Sequence, residues 1–317
     1  MAAGSGTAPG RIVLVGPTAS GKSLVALALA DRWGAEIVGA DSRQIYRGLE
    51  IGTEAPTAAD RARAPHHFVA FLDPSETYSA GRYGHEARAA VRAIESRGRN
   101  AIVAGGSGLY IRALSEGLFH GPARDEIIRA RLETRIREEG LDAVREELRR
   151  VDPEAYAAIL PGDPVRVIRA LEVHELTGRP ITALRRERPA DPFPATVFGL
   201  RWPRPTLAQR IASRIGRQLA RGFLEETRAL LAMRLPERAP GPRTLGYREL
   251  LAHLRGECTL EEASERIALK TRQLAKRQET WFRLTPGVQW IELQSETDLD
   301  RAPDVIQDRL DRAGIRP

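Results

Sequence analysis

The stretch Gly16-Pro17-Thr18-Ala19-Ser20-Gly21-Lys22-Ser23 decides the fold of this 317-residue chain. It follows an apolar run at residues 12–15 and leads into a helix-forming run at 24–30, so a strand, a glycine-rich loop and a helix come in succession. In such a loop the backbone N–H groups converge on an anion at the helix N-terminus. We therefore predict that Gly16–Ser23 bind a di- or triphosphate group, with Ser23 as the protein ligand of Mg²⁺.

The sequence around this loop indicates an α/β fold. Over residues 8–118, short apolar runs alternate with helical patterns, which is typical of a parallel sheet. Strands are predicted at 12–15, 36–40, 68–72 and 101–104, helices at 23–33 and 80–97, and a long loop at 48–65. We predict a P-loop NTPase-like parallel sheet core flanked by helices.

The pattern changes to helices alone after residue 124, which predicts an all-helical insert domain. Its helices are expected at 124–140, 141–151, 153–159 and 164–177. A linker at 188–194, a strand at 195–201 and a long helix at 260–283 follow. The predicted domains are the first part of the core (8–120), the insert (121–190), the completion of the core (195–292) and a C-terminal tail (293–317). Residues 1–9 and those after 294 are expected to be disordered.

Composition restricts the classes of function. Lys and Arg number 49 against 42 Asp and Glu, and the net charge of +7 suits an anionic macromolecular partner. Because only three of the basic residues are lysines, a coding bias toward arginine is an equally simple source of this charge.

The single cysteine, Cys258, excludes a disulfide framework and a cysteine-built zinc site. No apolar run approaches the roughly 20 residues that span a bilayer. We expect a cytoplasmic protein without membrane contact.

Two strand ends carry further candidate groups. Asp41 follows the second strand at the edge where open α/β sheets bind ligands, and it suits a metal or water ligand, a proton acceptor or a helix cap. The fourth strand ends in Gly105-Gly106-Ser107, whereas a P-loop ATPase would place an Asp there. This favours the close approach of a second substrate over hydrolysis, with a plain strand–helix turn as the alternative.

Basic side chains recur in three separate segments. On the predicted helix 260–283, Ile267, Leu274 and Trp281 share one stripe, and Arg272, Lys276 and Arg283 share a roughly opposite one. Each basic stripe is either a solvated face or a surface for a phosphate backbone. The other basic pairs are Arg166 with Arg169 and Arg243 with Arg248.

Together these motifs resemble the bacterial tRNA dimethylallyltransferase (tRNA isopentenyltransferase) family. The resemblance runs in order from about residue 10 to 292 and is specific as a set. Besides Gly16–Ser23, it is carried by Asp41-Ser42-Arg43-Gln44-Ile45-Tyr46-Arg47-Gly48, Ile51-Gly52-Thr53, Pro65-His66-His67, Asp73-Pro74, Tyr78-Ser79-Ala80, Gly105–Tyr110, Arg169-Ala170-Leu171-Glu172, Gly246-Tyr247-Arg248-Glu249 and Thr271-Arg272-Gln273-Leu274-Ala275-Lys276-Arg277-Gln278.

The resemblance implies a reaction and roles for residues. A dimethylallyl group would move from dimethylallyl diphosphate to the exocyclic amine of the adenosine just 3′ of the anticodon, in tRNAs that read codons beginning with U. Lys22, Asp41 and Ser107 would be catalytic, with Asp41 as the base, and Gly16–Ser23 would bind the donor diphosphate with Mg²⁺. Ser107 stands where the family commonly has Thr. A monomer would grip the anticodon stem-loop. The implied tRNA contacts are Asp41, Ser42, Arg43, Gln44, Ser107, Arg129, Arg166, Arg169, Arg243, Gly246, Tyr247, Arg248, Arg272, Lys276, Arg277, Gln278 and Arg283.

Three other functions stay open on the residues alone. A P-loop nucleotide or small-metabolite kinase explains the loop and the sheet, but it leaves the glycine-ended strand and the basic helix without a role. An adenylate dimethylallyltransferase needs neither the helical insert nor the basic helix. An RNA-binding protein whose loop only senses nucleotide would have no use for Lys22, Ser23 and Asp41 together.

Overall fold

The computed structural model describes residues 10–117, 121–122, 124–187 and 193–316. These residues form two compact units. The first takes its described residues from Met1–Ser115 and Phe193–Pro317, and the second from Glu116–Pro192. None of the helices in this part of the chain combines the length and the apolar character needed to cross a membrane.

The first unit is built on one six-stranded sheet in which every paired strand is parallel. The strands lie in the order β3-β2-β4-β1-β5-β6, so β1 is central. They are β1 Ile12–Val15, β2 Glu36–Gly39, β3 His66–His67, β4 Ala101–Gly105, β5 Thr196–Arg201 and β6 Val288–Glu292.

Helices cover both faces of this sheet. In chain order, the helices of the described residues are α1 Lys22–Trp33, α2 Glu50–Thr53, α3 Ala58–Arg63, α4 Ala80–Ser96, α5 Gly108–Glu116, α6 Glu126–Glu139, α7 Leu141–Val151, α8 Pro153–Ala158, α9 Pro164–Thr177, α10 Ile181–Arg186, α11 Arg204–Ala220, α12 Phe223–Ala232, α13 Tyr247–Leu254, α14 Leu260–Arg283 and α15 Glu296–Arg312.

The alternation of side chains along β1 explains why both faces are covered. Ile12 and Leu14 enter one apolar cluster, Val13 and Val15 enter another, and all four are at most 1% exposed. A strand that is buried on both faces reads as a continuous apolar run, which is the form in which the sequence presents it.

The second unit is helical among its described residues, comprising α6 to α10. It has an apolar cluster of its own, which includes Leu132, Val144, Leu148, Val167 and Leu171. Separate apolar clusters are what allow two units of one chain to be distinguished.

Most predicted elements are confirmed to within two residues, and α7, α9 and α14 have the predicted bounds. The strand predicted at 68–72 is wrong: pairing ends at His67, and Leu72 makes only an isolated bridge to Tyr46. Phe68 and Ala70 have φ values of 61° and 47°, so the backbone leaves the extended conformation there.

The segments predicted to lack structure also differ from expectation. The loop predicted at 48–65 contains α2 and α3, and a capping box between Thr57 and Asp60 begins α3. The described part of the C-terminal tail, residues 293–316, contains α15, along which Leu299, Ile306 and Leu310 are buried. Residues 1–9 and most of the predicted linker at 188–194 lie outside the described residues.

Candidate active site

The glycine-rich loop between β1 and α1 leaves the first turn of α1 open to an anion. Gly21 is the N-cap of α1 with φ at +91°, and no side chain caps its free N–H groups. The first turn contains no acidic residue. Gly16 has φ at +149°, and a Cβ there would lie 2.8 Å from the carbonyl oxygen of Leu200. Uncapped N–H groups at a helix N-terminus attract negative charge.

Side chains from the C-terminal half of the chain hold this loop in place. The indole Nε1 of Trp202 donates to the Ser20 carbonyl at 3.0 Å, and Nε of Arg210 donates to the Ala19 carbonyl at 2.9 Å. Leu299 of α15 packs against Gly21, where a Cβ would come within 2.6 Å of its Cδ1. These contacts join residues that are more than 180 positions apart in the chain, so no local pattern announces them.

Lys22 is half-buried beside the loop, and its Nζ donates to the Pro17 carbonyl at 2.7 Å. Burial lowers the pKa of Lys22 to about 8. The carboxylate of Asp41 opposes this shift, and the guanidinium of Arg214 adds to it. A lysine with such a pKa gains most when an anion joins it, because the anion restores the preference for the charged form.

Arg214, on α11, is a further cation at this loop that sequence reasoning missed. Its Nη1 donates to Thr18 Oγ1 at 2.8 Å, and its Nη2 donates to the Thr53 carbonyl at 3.2 Å. Nε lies 3.1 Å from a carboxylate oxygen of Glu54, and the side chain is only 18% exposed. No spacing in the sequence distinguishes Arg214 from the other arginines of α11.

Asp41, Ser42 and Ser107 meet where β2 and β4 end. The Arg43 N–H donates to Asp41 Oδ1 at 2.8 Å and fixes the carboxylate in a tight turn. The Ser42 N–H donates to Ser107 Oγ at 2.9 Å, and the Ser107 N–H donates to the Ala40 carbonyl at 3.1 Å. The hydroxyl at position 107 therefore joins the two strand ends.

Aromatic rings lie next to this turn. Tyr110 stacks on Tyr83 with ring centroids 4.2 Å apart, and Tyr78 meets Tyr110 edge-on at 6.3 Å. Burial, together with the nearby Tyr46 and Asp41, raises the pKa of Tyr110, so its phenol stays neutral. Charged groups border these rings, because Arg82 lies over the Tyr78 ring at 4.8 Å and the Tyr78 hydroxyl donates to the carboxylate of Glu86.

Eight of the basic residues that the resemblance implies as tRNA contacts are exposed. Arg248 also makes an ion pair with Glu249, and Arg166 makes one with Asp163. Exposed cations of this kind are available to phosphates. They are Arg43, Arg166, Arg243, Arg248, Arg272, Lys276, Arg277 and Arg283.

Other implied contacts have side chains that are engaged within the first unit. Tyr247 is fully buried, and its hydroxyl accepts from the Gly52 N–H at 3.0 Å. Gly246, with φ at +95°, begins α13 beside Phe223. Gln44 donates to the carbonyls of Thr53 and Glu54. The side-chain amide of Gln278 accepts from the Thr18 N–H and donates to the Gly106 carbonyl.

In the second unit, Arg129 and Arg169 bind the same carboxylate. Glu172 is fully buried and accepts from both guanidiniums, at 2.7 and 2.6 Å, and from the Asp125 N–H at 2.8 Å. These partners hold the pKa of Glu172 below its usual value despite burial. Arg169 also donates to the Pro122 carbonyl at 2.9 Å. Arg129 therefore holds α6 to α9, and Arg169 holds α9 to the segment that precedes α6.

The first unit thus has an α/β fold whose central strand leads into a glycine-rich loop contacted by Lys22 and Arg214. A family model described as IPP transferase matches residues 44–285, and the chain belongs to that family. The match begins after the loop and Asp41.

Relatives named tRNA dimethylallyltransferase match a longer part of this chain than the family model does. One from Geobacter metallireducens is 45% identical over 291 residues, covering 91% of this chain and 94% of the relative. One from Anaeromyxobacter sp. is 47% identical over 285 residues, covering 88% and 92%.

Solved structures show the same relationship. A tRNA isopentenylpyrophosphate transferase from Bacillus halodurans is 33% identical, with a TM-score of 0.68, covering 96% of this chain and 97% of that one. A eukaryotic dimethylallyltransferase, described as acting on tRNA, is 25% identical with a TM-score of 0.80. That match covers 98% of this chain and 80% of the eukaryotic one.

Proposed function

We propose that this protein transfers the dimethylallyl group of dimethylallyl diphosphate to the exocyclic amine of an adenosine in tRNA and releases diphosphate. The activity, tRNA dimethylallyltransferase, rests on membership of the family and on relatives matched over most of their length. The adenosine just 3′ of the anticodon, in tRNAs that read codons beginning with U, is our proposal for the acceptor.

The observation that carries the donor site is the convergence of cations on one loop. Lys22 and Arg214 contact Pro17 and Thr18 of the loop, beside the uncapped N-terminus of α1. When the bond between C1 and the bridging oxygen breaks, its electron pair goes to the diphosphate. Cations and N–H groups fixed in advance stabilise that developing charge without reorganising. Such a loop is the phosphate-binding loop of a P-loop fold.

Mg²⁺ fits this loop through few protein atoms. Ser23 presents an exposed hydroxyl in the first turn of α1. The described residues contain no group of three or more His, Cys, Asp or Glu that would hold a metal alone. Mg²⁺ commonly takes one or two protein ligands together with phosphate oxygens and water, so Ser23 would hold it and the donor would complete the shell. Bound there, the ion would neutralise charge on the leaving diphosphate.

Asp41 is positioned to handle the proton of the acceptor. An adenine amine is a weak nucleophile, so its orientation toward C1 governs the rate. The base must leave its stack to reach a buried carbon. As the nitrogen–carbon bond forms, the amine proton passes to the Asp41 carboxylate. The Arg43 N–H donates to Oδ1 of this carboxylate and so holds it in place. The neighbouring rings of Tyr78 and Tyr110 would offer an apolar wall for the dimethylallyl group, with the fully buried Tyr83 stacked behind Tyr110.

The exposed arginines and Lys276 are proposed to bind the anticodon stem-loop through its phosphates. Arg166 lies in the second unit, which we propose is an insert domain that grips the tRNA. We place the reaction in the cytoplasm and propose that the enzyme acts as a monomer. A kinase would need an acidic metal ligand at the end of β4, where this chain has Gly105 and Gly106.

An acceptor exchange tests the proposal. Purified protein is incubated with Mg²⁺, labelled dimethylallyl diphosphate and a synthetic anticodon stem-loop with adenosine 3′ of the anticodon. A matched stem-loop carries guanosine at that position only. We expect label in the adenosine stem-loop alone. Equal labelling of both would refute the acceptor position, and labelling of AMP in preference to RNA would favour an adenylate dimethylallyltransferase.

A further inference from the structure

The side-chain amide of Gln278 bridges two backbone segments of the first unit. Its Oε1 accepts from the Thr18 N–H at 2.8 Å, and its Nε2 donates to the Gly106 carbonyl at 2.9 Å. Gln278 belongs to α14 and lies 260 residues from Thr18 and 172 residues from Gly106 in the chain. One side chain therefore joins the phosphate-binding loop to the turn that follows β4.

Both segments continue directly into groups of the proposed reaction. On the donor side, Thr18 is also held through its hydroxyl by Arg214 at 2.8 Å. On the acceptor side, Gly106 precedes Ser107, whose Oγ accepts from the Ser42 N–H next to Asp41. The path from the loop to the carboxylate turn thus consists of short hydrogen bonds through Gln278 and Ser107.

The amide of Gln278 fills the space beside Gly106 that a side chain would need. A Cβ on Gly106 would lie 2.4 Å from Nε2 of Gln278, far closer than a carbon and a nitrogen can approach. The backbone of Gly106 does not have a positive φ, so an alanine there would be tolerated by the backbone itself. Glycine at 106 is therefore required by the amide of Gln278 and not by the turn.

We propose that Gln278 is a positioning residue that sets the separation between the donor carbon and the acceptor nitrogen. This inference rests on the proposed function, in which the loop holds the diphosphate and the Asp41 turn receives the amine. An amide suits the role because it accepts from one segment and donates to the other. A misplacement of about 1 Å between reacting groups lowers a rate by about 100-fold.

The test separates positioning from tRNA binding, the role that the family resemblance implies for Gln278. For Gln278→Ala, single-turnover transfer at saturating substrates is expected to fall by about 100-fold. The dissociation constants of tRNA and of dimethylallyl diphosphate, measured separately, are expected to stay within about threefold, since neither substrate loses a contact. Gln289→Ala, an exposed glutamine on β6, is the control and should keep the wild-type rate.

A second variant makes the test independent of the first. Gly106→Ala pushes the flexible amide of Gln278 aside, so it should reproduce the loss of rate. Because both substitutions break the same bridge, the double variant should be no slower than either single variant. Melting temperatures of all variants check that each is folded.

Three results would overturn the inference: an unchanged rate in Gln278→Ala, losses that multiply in the double variant, or a defect confined to tRNA affinity. The last result would return Gln278 to the tRNA contacts. A wild-type protein that transfers no dimethylallyl group would instead overturn the proposed function, and the inference with it.

Discussion

At the scale of single residues, Asp41 is the group whose role is sharpest. Its Oδ1 accepts from the Arg43 N–H, a bond that an asparagine oxygen can also accept. Asp41→Asn therefore keeps the turn and removes only the basic carboxylate. We expect the transfer rate to fall by about 10²- to 10⁴-fold with tRNA affinity retained, as for loss of a general base. Near-normal turnover, measured by incorporation of labelled dimethylallyl groups, would remove Asp41 from the reaction.

Lys22 gives a prediction about pH. Its pKa is lowered to about 8 by burial, so the ammonium is present below pH 8 and is lost above it. The KM for dimethylallyl diphosphate should therefore rise above pH 8, approaching tenfold per pH unit as the neutral fraction grows. Lys22→Arg keeps its charge throughout this range and should show a flat KM profile. An unchanged KM of the wild type between pH 7 and 9.5 would contradict this role.

The residues of this site differ in how far the sequence reveals them. A local pattern is enough to locate Gly16, Gly21, Lys22 and Asp41, because each lies in the loop or turn that follows a strand. Arg214 and Gln278 reach the loop from distant helices, and the contacts depend on how α11 and α14 pack. The burial of Tyr247 is likewise a product of packing beside Phe223, which the motif around it does not disclose.

At the scale of elements, α15 supports the glycine-rich loop Gly16–Ser23. Leu299 packs against Gly21, whereas Leu310, equally buried, lies three turns further along α15. Leu299→Ala and Leu310→Ala should each lower the free energy of unfolding by about 2–5 kcal/mol. Only Leu299→Ala should also weaken binding of dimethylallyl diphosphate, measured by calorimetry. Equal effects of the two variants on donor binding would show that α15 acts through stability alone.

The helix α14 presents Lys276 and four arginines to solvent. Lys276→Ala should weaken tRNA binding and reduce the slope of log K against log salt concentration by about 1. Lys270 of the same helix is paired with Glu249 at 2.8 Å and serves as the control. Lys270→Ala should leave the salt slope unchanged. A slope that responds to Lys270 and not to Lys276 would place the tRNA on another face.

Elements with a regular spacing of apolar residues can be predicted from the sequence. Elements that form only through pairing or packing with distant segments cannot. The 3.6-residue pattern of α14 gives its bounds, because one apolar stripe runs its full length. The strand β6 contains Trp290 and two polar residues in five positions, so it lacks the apolar run of a central strand. Its pairing with β5 at the sheet edge explains how it forms without one.

At the scale of the whole molecule, the two units have separate apolar clusters, and the proposed function gives them separate tasks. Glu172 ties Arg129 and Arg169 together within the second unit, and removing a buried ion-pair partner costs about 3–5 kcal/mol. Glu172→Ala should therefore disorder the second unit and weaken tRNA binding while donor binding in the first unit persists. Glu175→Ala, which breaks the surface pair with Arg131, is the control. Loss of donor binding in Glu172→Ala would show that the units depend on each other.

Mass spectrometry of nucleosides from unmodified tRNA measures the transfer reaction itself. The tRNA is incubated with the protein, Mg²⁺ and dimethylallyl diphosphate, with ATP and AMP in parallel reactions. We expect an adenosine in tRNA to gain one dimethylallyl group, with AMP unmodified and ATP intact. No gain in tRNA, together with ATP turnover, would contradict it and favour a kinase.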